Sequence, residues 1–509
     1  MSLLSIAALA STARADVRLP AVIGDHMVLQ RDAPLPIWGW ADPGEEVTVT
    51  LGDAKSTAKA DAAGKWRVTL PAIKSGKGLE MSVAGKNTIK LADILVGEVW
   101  LGSGQSNMQW SVQLSSDAEK EIAAANYPEI RLFTVPMVPS GRPAENVNAQ
   151  WVVCTPETIK NFSGVLFFFG RELHKELQVP LGLINTSWGG TRIEPWTPPE
   201  GLASQTELQG DLAWVKARQA DYQAALDASL AQYRAWIAKA EKAKAAGGEI
   251  PDPPAAPDHP LNSNGTATGL YNGMIHPLVP LAMRGALWYQ GEANVGEAMH
   301  YHTRMKALIQ GWRTVWGQGD FPFLFVQLAP FDYGGVPTRL PELWEAQAAT
   351  LTVPNTGMAV TTDLVANLKD IHPPNKQDVG KRLALWALAN TYHHSDVEFS
   401  GPVYESQAVE GSSIRLKFKH AASGLTSRDS KPLSWFSIAA ADKKFVPAEA
   451  TIDGDSVVVR SPDVKNPVAV RFGWHQLAEP NLVNKAGLPP SPFRTDTWSD
   501  ATAAAPAGG

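Results

Sequence analysis

Residues 99–108 read Val-Trp-Leu-Gly-Ser-Gly-Gln-Ser-Asn-Met: a short apolar run of strand length, a glycine-rich turn carrying Ser106, and the start of a segment with helical composition. That is the strand–turn–helix junction of an α/β sheet, with a hydroxyl set where the strand ends. The pattern repeats downstream. Apolar strands at 130–134, 181–185, 286–289, 323–327 and 358–361 alternate with helical periodicity at 165–177, 301–316 and 379–389. Together they predict a parallel, helix-covered sheet with its site at the carboxyl ends of the strands.

Outward from this core the pattern changes on both sides. Over 16–94 the alternation of Val47, Val49 and Leu51, then Trp66, Val68 and Leu70, with turns such as Asp42-Pro43-Gly44, predicts a small N-terminal β-sandwich. The α/β core occupies 95–197 and resumes over 261–395. Between them, 198–260 places Leu208, Leu212, Val215, Tyr222, Leu226, Leu230, Tyr233 and Ile237 near heptad spacing and closes in a proline-rich linker. This predicts a helical insertion whose aromatics pack rather than bind, and which can still wall one side of the site. Alternation at Ile414, Leu416 and Phe418 predicts a second β-sandwich over 396–498, and the small-residue tail 499–509 has no core-forming content.

Composition limits what such a chain does. Its 509 residues exceed the roughly 100–200 residues of a typical domain, in keeping with several units. A net charge of -6 gives no basic footprint for nucleic acid. A lone Cys154 excludes an intramolecular disulfide framework and argues against a cysteine-ligated metal. No stretch approaches the roughly 18 apolar residues of a membrane span. The run Leu3 to Ala10 followed by Ala13-Arg14-Ala15 reads as the remnant of an export signal over 1–15, which predicts a periplasmic or secreted protein. Eighteen tryptophans suit both core filling and stacking on sugar rings.

The chemistry starts from Ser106. A helix following it would offer oriented N–H groups to an oxyanion. Thr186-Ser187-Trp188-Gly189-Gly190-Thr191 adds backbone donors at a glycine pair, and Trp288-Tyr289-Gln290-Gly291-Glu292 adds a side-chain amide. Lys369-Asp370-Ile371-His372-Pro373 follows the last core strand and supplies a base, His372, to take the proton of Ser106 and return it to the leaving oxygen. Arg192 and Glu292 lie in the same loops, placed to orient a substrate or to brace the site. His, Asp and Glu do not stand at any familiar zinc or calcium spacing, so no metal is expected.

Gly104-Gln105-Ser106-Asn107-Met108, Trp188-Gly189-Gly190-Thr191, Trp288-Tyr289-Gln290-Gly291-Glu292 and Asp370-Ile371-His372-Pro373 resemble the four blocks of the sialate O-acetylesterase family, within the SGNH hydrolases. Asp25-His26-Met27-Val28-Leu29-Gln30-Arg31 resembles the N-terminal signature of its bacterial members, so the likeness spans nearly the whole chain. The resemblance implies a flavodoxin-like, three-layer α/β core flanked by β-sandwich domains, a Ser-His-Asp site and no cofactor. It places the oxyanion donors at Ser106, at Gly189 or Gly190, and at Gln290, with Asn107, Trp188, Arg192 and Glu292 binding substrate or supporting the site. The acid is open: Asp370 stands two before His372 where the family spacing is three, Asp363 at its strand end is an alternative, and a backbone carbonyl is a third.

These residues and the family they resemble point to a serine esterase that removes acetyl groups from an O-acetylated glycan, either a plant cell-wall fragment such as xyloglucan or xylan, or an acetylated sialic acid. A carbohydrate-binding protein on an inactive hydrolase-like core and a general short-chain esterase or lipase are the alternatives. The sequence carries no reading of oligomeric state.

Overall fold

The computed structural model describes residues 16–498. The expected export signal at 1–15 and the tail at 499–509 lie outside the described residues. The N-terminal unit comprises β1 (Val28–Gln30), β2 (Leu35–Trp40), β3 (Glu46–Leu51), β4 (Ala54–Lys59), β5 (Lys65–Leu70) and β6 (Gly76–Ala84). β2 and β5 form an antiparallel ribbon, while β3, β4 and β6 pair in a second sheet. Strict in–out alternation along β5 turns Trp66, Val68 and Leu70 into a core shared with Val47, Val49 and Leu51.

No break separates this unit from the α/β core. β7 (Thr88–Gly104) is one 17-residue strand. Its first half pairs with β6 and its second half, from Glu98, pairs with β10 (Leu181–Ser187). The predicted boundary at 94/95 therefore falls inside a strand: the one glycine in the run from Ile94 to Leu101, Gly97, pairs with Gln30 and stays extended, its missing Cβ making room for the Pro180 carbonyl rather than for a turn. The one charge in that run, Glu98, is fully buried. It is satisfied by Gln30 at 2.9 Å, Arg31 at 2.5 Å and Arg284 at 2.7 Å.

The core sheet adds β8 (Tyr127–Thr134), β9 (Trp151–Cys154), β11 (Gly285–Tyr289), β12 (Phe323–Val326) and β13 (Thr356–Ala359). Its order is β13-β12-β11-β7-β10-β8-β9, parallel throughout except at β9. Among the described residues eight α-helices accompany it: α1 (Ser106–Gln109), α2 (Ala118–Ala123), α3 (Gly164–Leu177), α4 (Pro199–Ala203), α5 (Gln209–Ala245), α6 (Met299–Trp316), α7 (Arg339–Ala349) and α8 (Lys376–Asn390). Register shows which face each covers. Gly102, opposite Leu287, abuts Leu166 of α3, whereas Trp288, opposite Ser103, meets Trp312 of α6. α3 and α8 pack together on one face and α6 with α7 on the other, giving three layers. The chain adds strands to one side of β7 and then to the other, so the crevice beyond the carboxyl end of β7 is the expected site.

Within the insertion, α5 runs for 37 residues, about 55 Å at 1.5 Å per residue. Only Leu212, Val215 and Ser229 are buried on it, and Trp214, Leu230 and Ile237 are 45%, 46% and 48% exposed. The heptad-like spacing thus does not mark a face packed along its whole length. Its aromatics pack on the insertion's own return segment, Tyr222 against His259 at 4.1 Å and Trp236 Nε1 donating to the Pro251 carbonyl at 2.7 Å. The C-terminal unit has a separate core around Ile414, Leu416, Val457 and Val459. Arg494 ties it to Glu345 and Gln476 ties it to Asp332. Among the described residues no helix is long and apolar enough to cross a membrane.

Candidate active site

The turn after β7 depends on Gly104. Its φ of +136° suits glycine, and a Cβ there would lie 2.1 Å from the Tyr289 carbonyl. This close approach lets Gln105 N–H donate to the same carbonyl at 3.0 Å and starts α1 at Ser106. α1 is a single turn of four residues, shorter than the helix predicted, so individual N–H groups rather than a macrodipole face the site. The Ser106 N–H has no protein partner among the described residues.

Ser106 Oγ lies 2.9 Å from His372 Nε2, across 266 residues of sequence. The ring of His372 stacks on Trp110, with centroids 4.6 Å apart and planes 16° apart. Burial pushes the imidazole below its ordinary value of 6.5; Lys376 lowers it further and Asp370 opposes the shift. At neutral pH the ring is therefore the neutral base that proton abstraction needs.

The predicted acids do not complete a Ser-His-Asp triad by hydrogen bond. Asp370 Oδ1 is 3.9 Å from His372 Nδ1, beyond hydrogen-bond range, and instead accepts the backbone N–H of His372 at 2.9 Å. With only one residue between them, the carboxylate folds back on the chain in an Asx-type turn. Asp363 is further from the part predicted for it: both its oxygens bond Arg382 of α8 at 2.7 Å.

Gln290 is likewise corrected. It is fully buried, its Nε2 donates to the Thr191 carbonyl at 3.2 Å and to Asn294 Oδ1 at 2.7 Å, and its Oε1 accepts from Tyr301 at 2.8 Å. Every polar atom is engaged in holding the loops, so none is left for an oxyanion. Of the glycine pair, Gly189 packs on Ser106, where an added Cβ would lie 3.3 Å from the serine Cβ, but its N–H already donates to Gln109 Oε1 at 2.7 Å. Gly190, at φ +74°, has open space around it and an N–H unclaimed among the described residues.

Beneath the Ser-His contact lies a buried cluster. Asn107 Nδ2 donates to Glu292 Oε1 at 2.6 Å and to the Ile371 carbonyl at 2.9 Å, and its Oδ1 accepts from Lys376 Nζ at 2.5 Å. One amide side chain thus joins the serine turn, the 292 loop and the histidine loop. Burial raises the Glu292 carboxyl, whose Oε2 has no partner among the described residues, and lowers the Lys376 amine to about 7. Arg192 braces rather than lines the cleft: it bonds Glu194 and Glu297 and donates to the Ala293 carbonyl at 2.7 Å. Trp188 is half-buried, its N–H held by the Gly104 carbonyl. Among the described residues no group of three or more His, Cys, Asp or Glu is placed to hold a metal.

Comparison with known proteins bears on this arrangement. Residues 261–389 match the family model described as carbohydrate esterase, sialic acid-specific acetylesterase. The chain is 32% identical to the sialate O-acetylesterase of Mus musculus over 450 residues, covering 79% of this chain and 78% of that protein. The chain belongs to the sialate O-acetylesterase family. It is 31% identical to the Homo sapiens member over 430 residues, 76% of this chain and 73% of that one. A solved carbohydrate acetylesterase from Xanthomonas citri superposes with a TM-score of 0.81 at 38% identity, over 95% of this chain and all of that one. Membership in the family makes this chain a carbohydrate O-acetylesterase.

Three residues of the site are missed by sequence reasoning. Trp110 carries a signal, an indole four residues after the serine across a single turn. Lys376 sits four residues after His372, where a helix start looks solvent-facing. Gln105 reads in the sequence only as part of a motif, yet its Oε1 accepts from Gly291 and Ala293 N–H groups at 3.4 Å and its Nε2 has no protein partner among the described residues.

Proposed function

We propose that the core works as an SGNH-type hydrolase that removes O-acetyl groups from a glycan through an acetyl-serine intermediate. The observation that carries this reading is the 2.9 Å contact of Ser106 Oγ with His372 Nε2 at the carboxyl end of the central strand. Ser106 Oγ attacks the acetyl carbonyl while His372 takes its proton, and the C–O bond to the sugar breaks as that proton passes to the sugar oxygen. Water, losing a proton to His372, then attacks the acetyl-serine, and acetate leaves as His372 returns that proton to Ser106 Oγ. The N–H groups of Ser106 and Gly190 are the backbone donors left for the developing oxyanion; with Gln290 spent, Gln105 Nε2 is the side-chain amide free to join them.

The glycans that fit this reading are acetylated xyloglucan or xylan fragments, or O-acetylated sialic acids. Trp110 beside His372 favours a pyranose, and the preference here is for neutral plant-derived sugars. The test is acetate release from 4-nitrophenyl acetate, acetylated xyloglucan and xylan oligosaccharides and O-acetylated sialic acids by wild type, Ser106→Ala and Gln105→Ala. Ser106→Ala should lose at least about 10³-fold in kcat, and Gln105→Ala roughly 10²- to 10³-fold, the scale of one lost oxyanion donor. Turnover by Ser106→Ala at the wild-type rate would sink the mechanism. An unchanged Gln105→Ala would leave the oxyanion to backbone donors alone.

A further inference from the structure

The outward face of the β2–β5 ribbon holds a second place shaped for sugar rings. Directly opposed residues of an antiparallel pair share a face, and here Trp38 stands opposite Arg67 and Trp40 opposite Lys65. Both indoles are half-buried, whereas Ile37 and Trp66, on the other face, are 0% and 3% exposed. Trp38 and Trp40 border a cavity of about 300 Å³ whose polar edge includes Asp61, Lys65, Arg67 and Glu145. Arg67 also borders a second cavity of about 490 Å³, which continues past Pro36 and Thr69 to Arg284. Pro36 and Thr69 are an opposed pair in the same outward register, so the two cavities follow one face of the ribbon.

This groove is not an arm of the catalytic cleft. Arg284 immediately precedes β11, and the turn that carries Ser106 meets the far end of that strand at Tyr289. Four residue steps at ~3.3 Å separate the ends, roughly 13 Å, and the groove lies at the amino-terminal end of the sheet. None of its lining residues takes part in the cluster beneath Ser106.

We propose that this groove is a non-catalytic binding site for a neutral oligosaccharide chain, with pyranose rings against Trp38 and Trp40. A pyranose presents an apolar C–H face and a rim of hydroxyls that both donate and accept. The groove matches both, with indoles on one side and carboxylate, ammonium and guanidinium groups on the other. A purely aliphatic ligand would bury those polar groups without partners. Two of the cations are paired locally, Lys65 with Glu145 at 2.5 Å and Arg284 with Glu98 at 2.7 Å, and the remaining Arg67 shares its cavity with the Asp61 carboxylate, so the groove offers an anionic sugar no net excess of positive charge.

The experiment uses the full chain carrying Ser106→Ala, so that binding is read without turnover and independently of the catalytic proposal. Electrophoresis through gels containing deacetylated xyloglucan, deacetylated xylan or polysialic acid reads affinity as retardation. One of the neutral polymers should retard the parent, Trp40→Ala should weaken its Kd roughly tenfold or more, and Trp40→Phe should keep most of the retardation. In the active background Trp40→Ala should turn over 4-nitrophenyl acetate as wild type does; if that turnover is lost to misfolding, Arg67→Ala, at an exposed position, carries the comparison instead. The proposal is overturned if neither neutral polymer retards the parent, if the groove variants are retarded like the parent, or if polysialic acid alone retards it.

Discussion

Two charged clusters flank the loop after β11, one partly exposed and one buried, and they are built to opposite rules. On one side Arg192 and Arg304 meet Glu194, Glu297 and Asp211. Burial alone would raise the Glu194 carboxyl, but Arg304 and Arg192 outweigh it and hold it below the ordinary carboxylate range. On the other side Lys376 and Glu292 share no direct bond and are joined only through Asn107. There burial wins, moving the acid up and the amine down to about 7, both toward neutrality. A cluster whose charges bond one another directly holds a fold together. One whose two charges share no direct bond, beneath a nucleophile and its base, is poised to set their position and proton affinity.

The largest test of that contrast is Arg304→Met. It leaves Glu194, Glu297 and Asp211 facing one another with one guanidinium among them, and should cost about 3–5 kcal/mol in unfolding free energy. Turnover per folded molecule should stay near wild type. Denaturant unfolding alongside 4-nitrophenyl acetate kinetics reads both, and a stability loss under about 1 kcal/mol would show that the directly paired cluster is ornamental.

Lys376→Met addresses the other cluster and should cost less stability, about 1–3 kcal/mol, because Glu292 already leans toward its neutral acid. Its signature is the pH profile. His372 acts as a base only when neutral, so wild-type kcat/KM falls as pH drops through a histidine value held below 6.5 by burial and by Lys376. Taking away the ammonium leaves burial as the lowering influence and Asp370 as the raising one. The acid limb should then move upward, toward 6.5. An unmoved limb would reduce Lys376 to a packing element.

The same contrast explains what is legible in the sequence. Val99 to Met108 and the strands after it can be read because apolar runs ending in glycine need few tertiary contacts to be recognised. Ser106 and His372 can be read because their positions at strand ends are set by local chain order. Gln290 and Asp363 mislead for a shared reason: an amide or a carboxylate at a strand end looks free until Tyr301 and Asn294, or Arg382, arrive from distant elements to claim it. Lys376 is invisible because its burial depends on α8 packing against α3 and the serine turn. The exposed length of α5 shows the converse, a spacing that signals a packed face when no partner element comes to cover it.

The smallest expected effect is also the one that separates two versions of the site. In a hydrogen-bonded triad the carboxylate holds the histidine tautomer, and its loss costs about 10⁴-fold in kcat. Here Asp370 bonds the backbone N–H of His372 rather than its ring, and its charge acts on the imidazole from 3.9 Å. Asp370→Ala should therefore lower kcat by less than about tenfold, since what is lost is one turn-stabilising hydrogen bond and a weakly coupled charge. It should also shift the acid limb slightly downward, because Asp370 raises the imidazole value. Asp370→Asn, which keeps an acceptor for the backbone N–H, should recover most of the rate while retaining the shift. A 10⁴-fold loss in both variants would mean that the ring turns to meet the carboxylate once substrate is bound, and that the resting Ser106–His372 pair is an incomplete view of the working site.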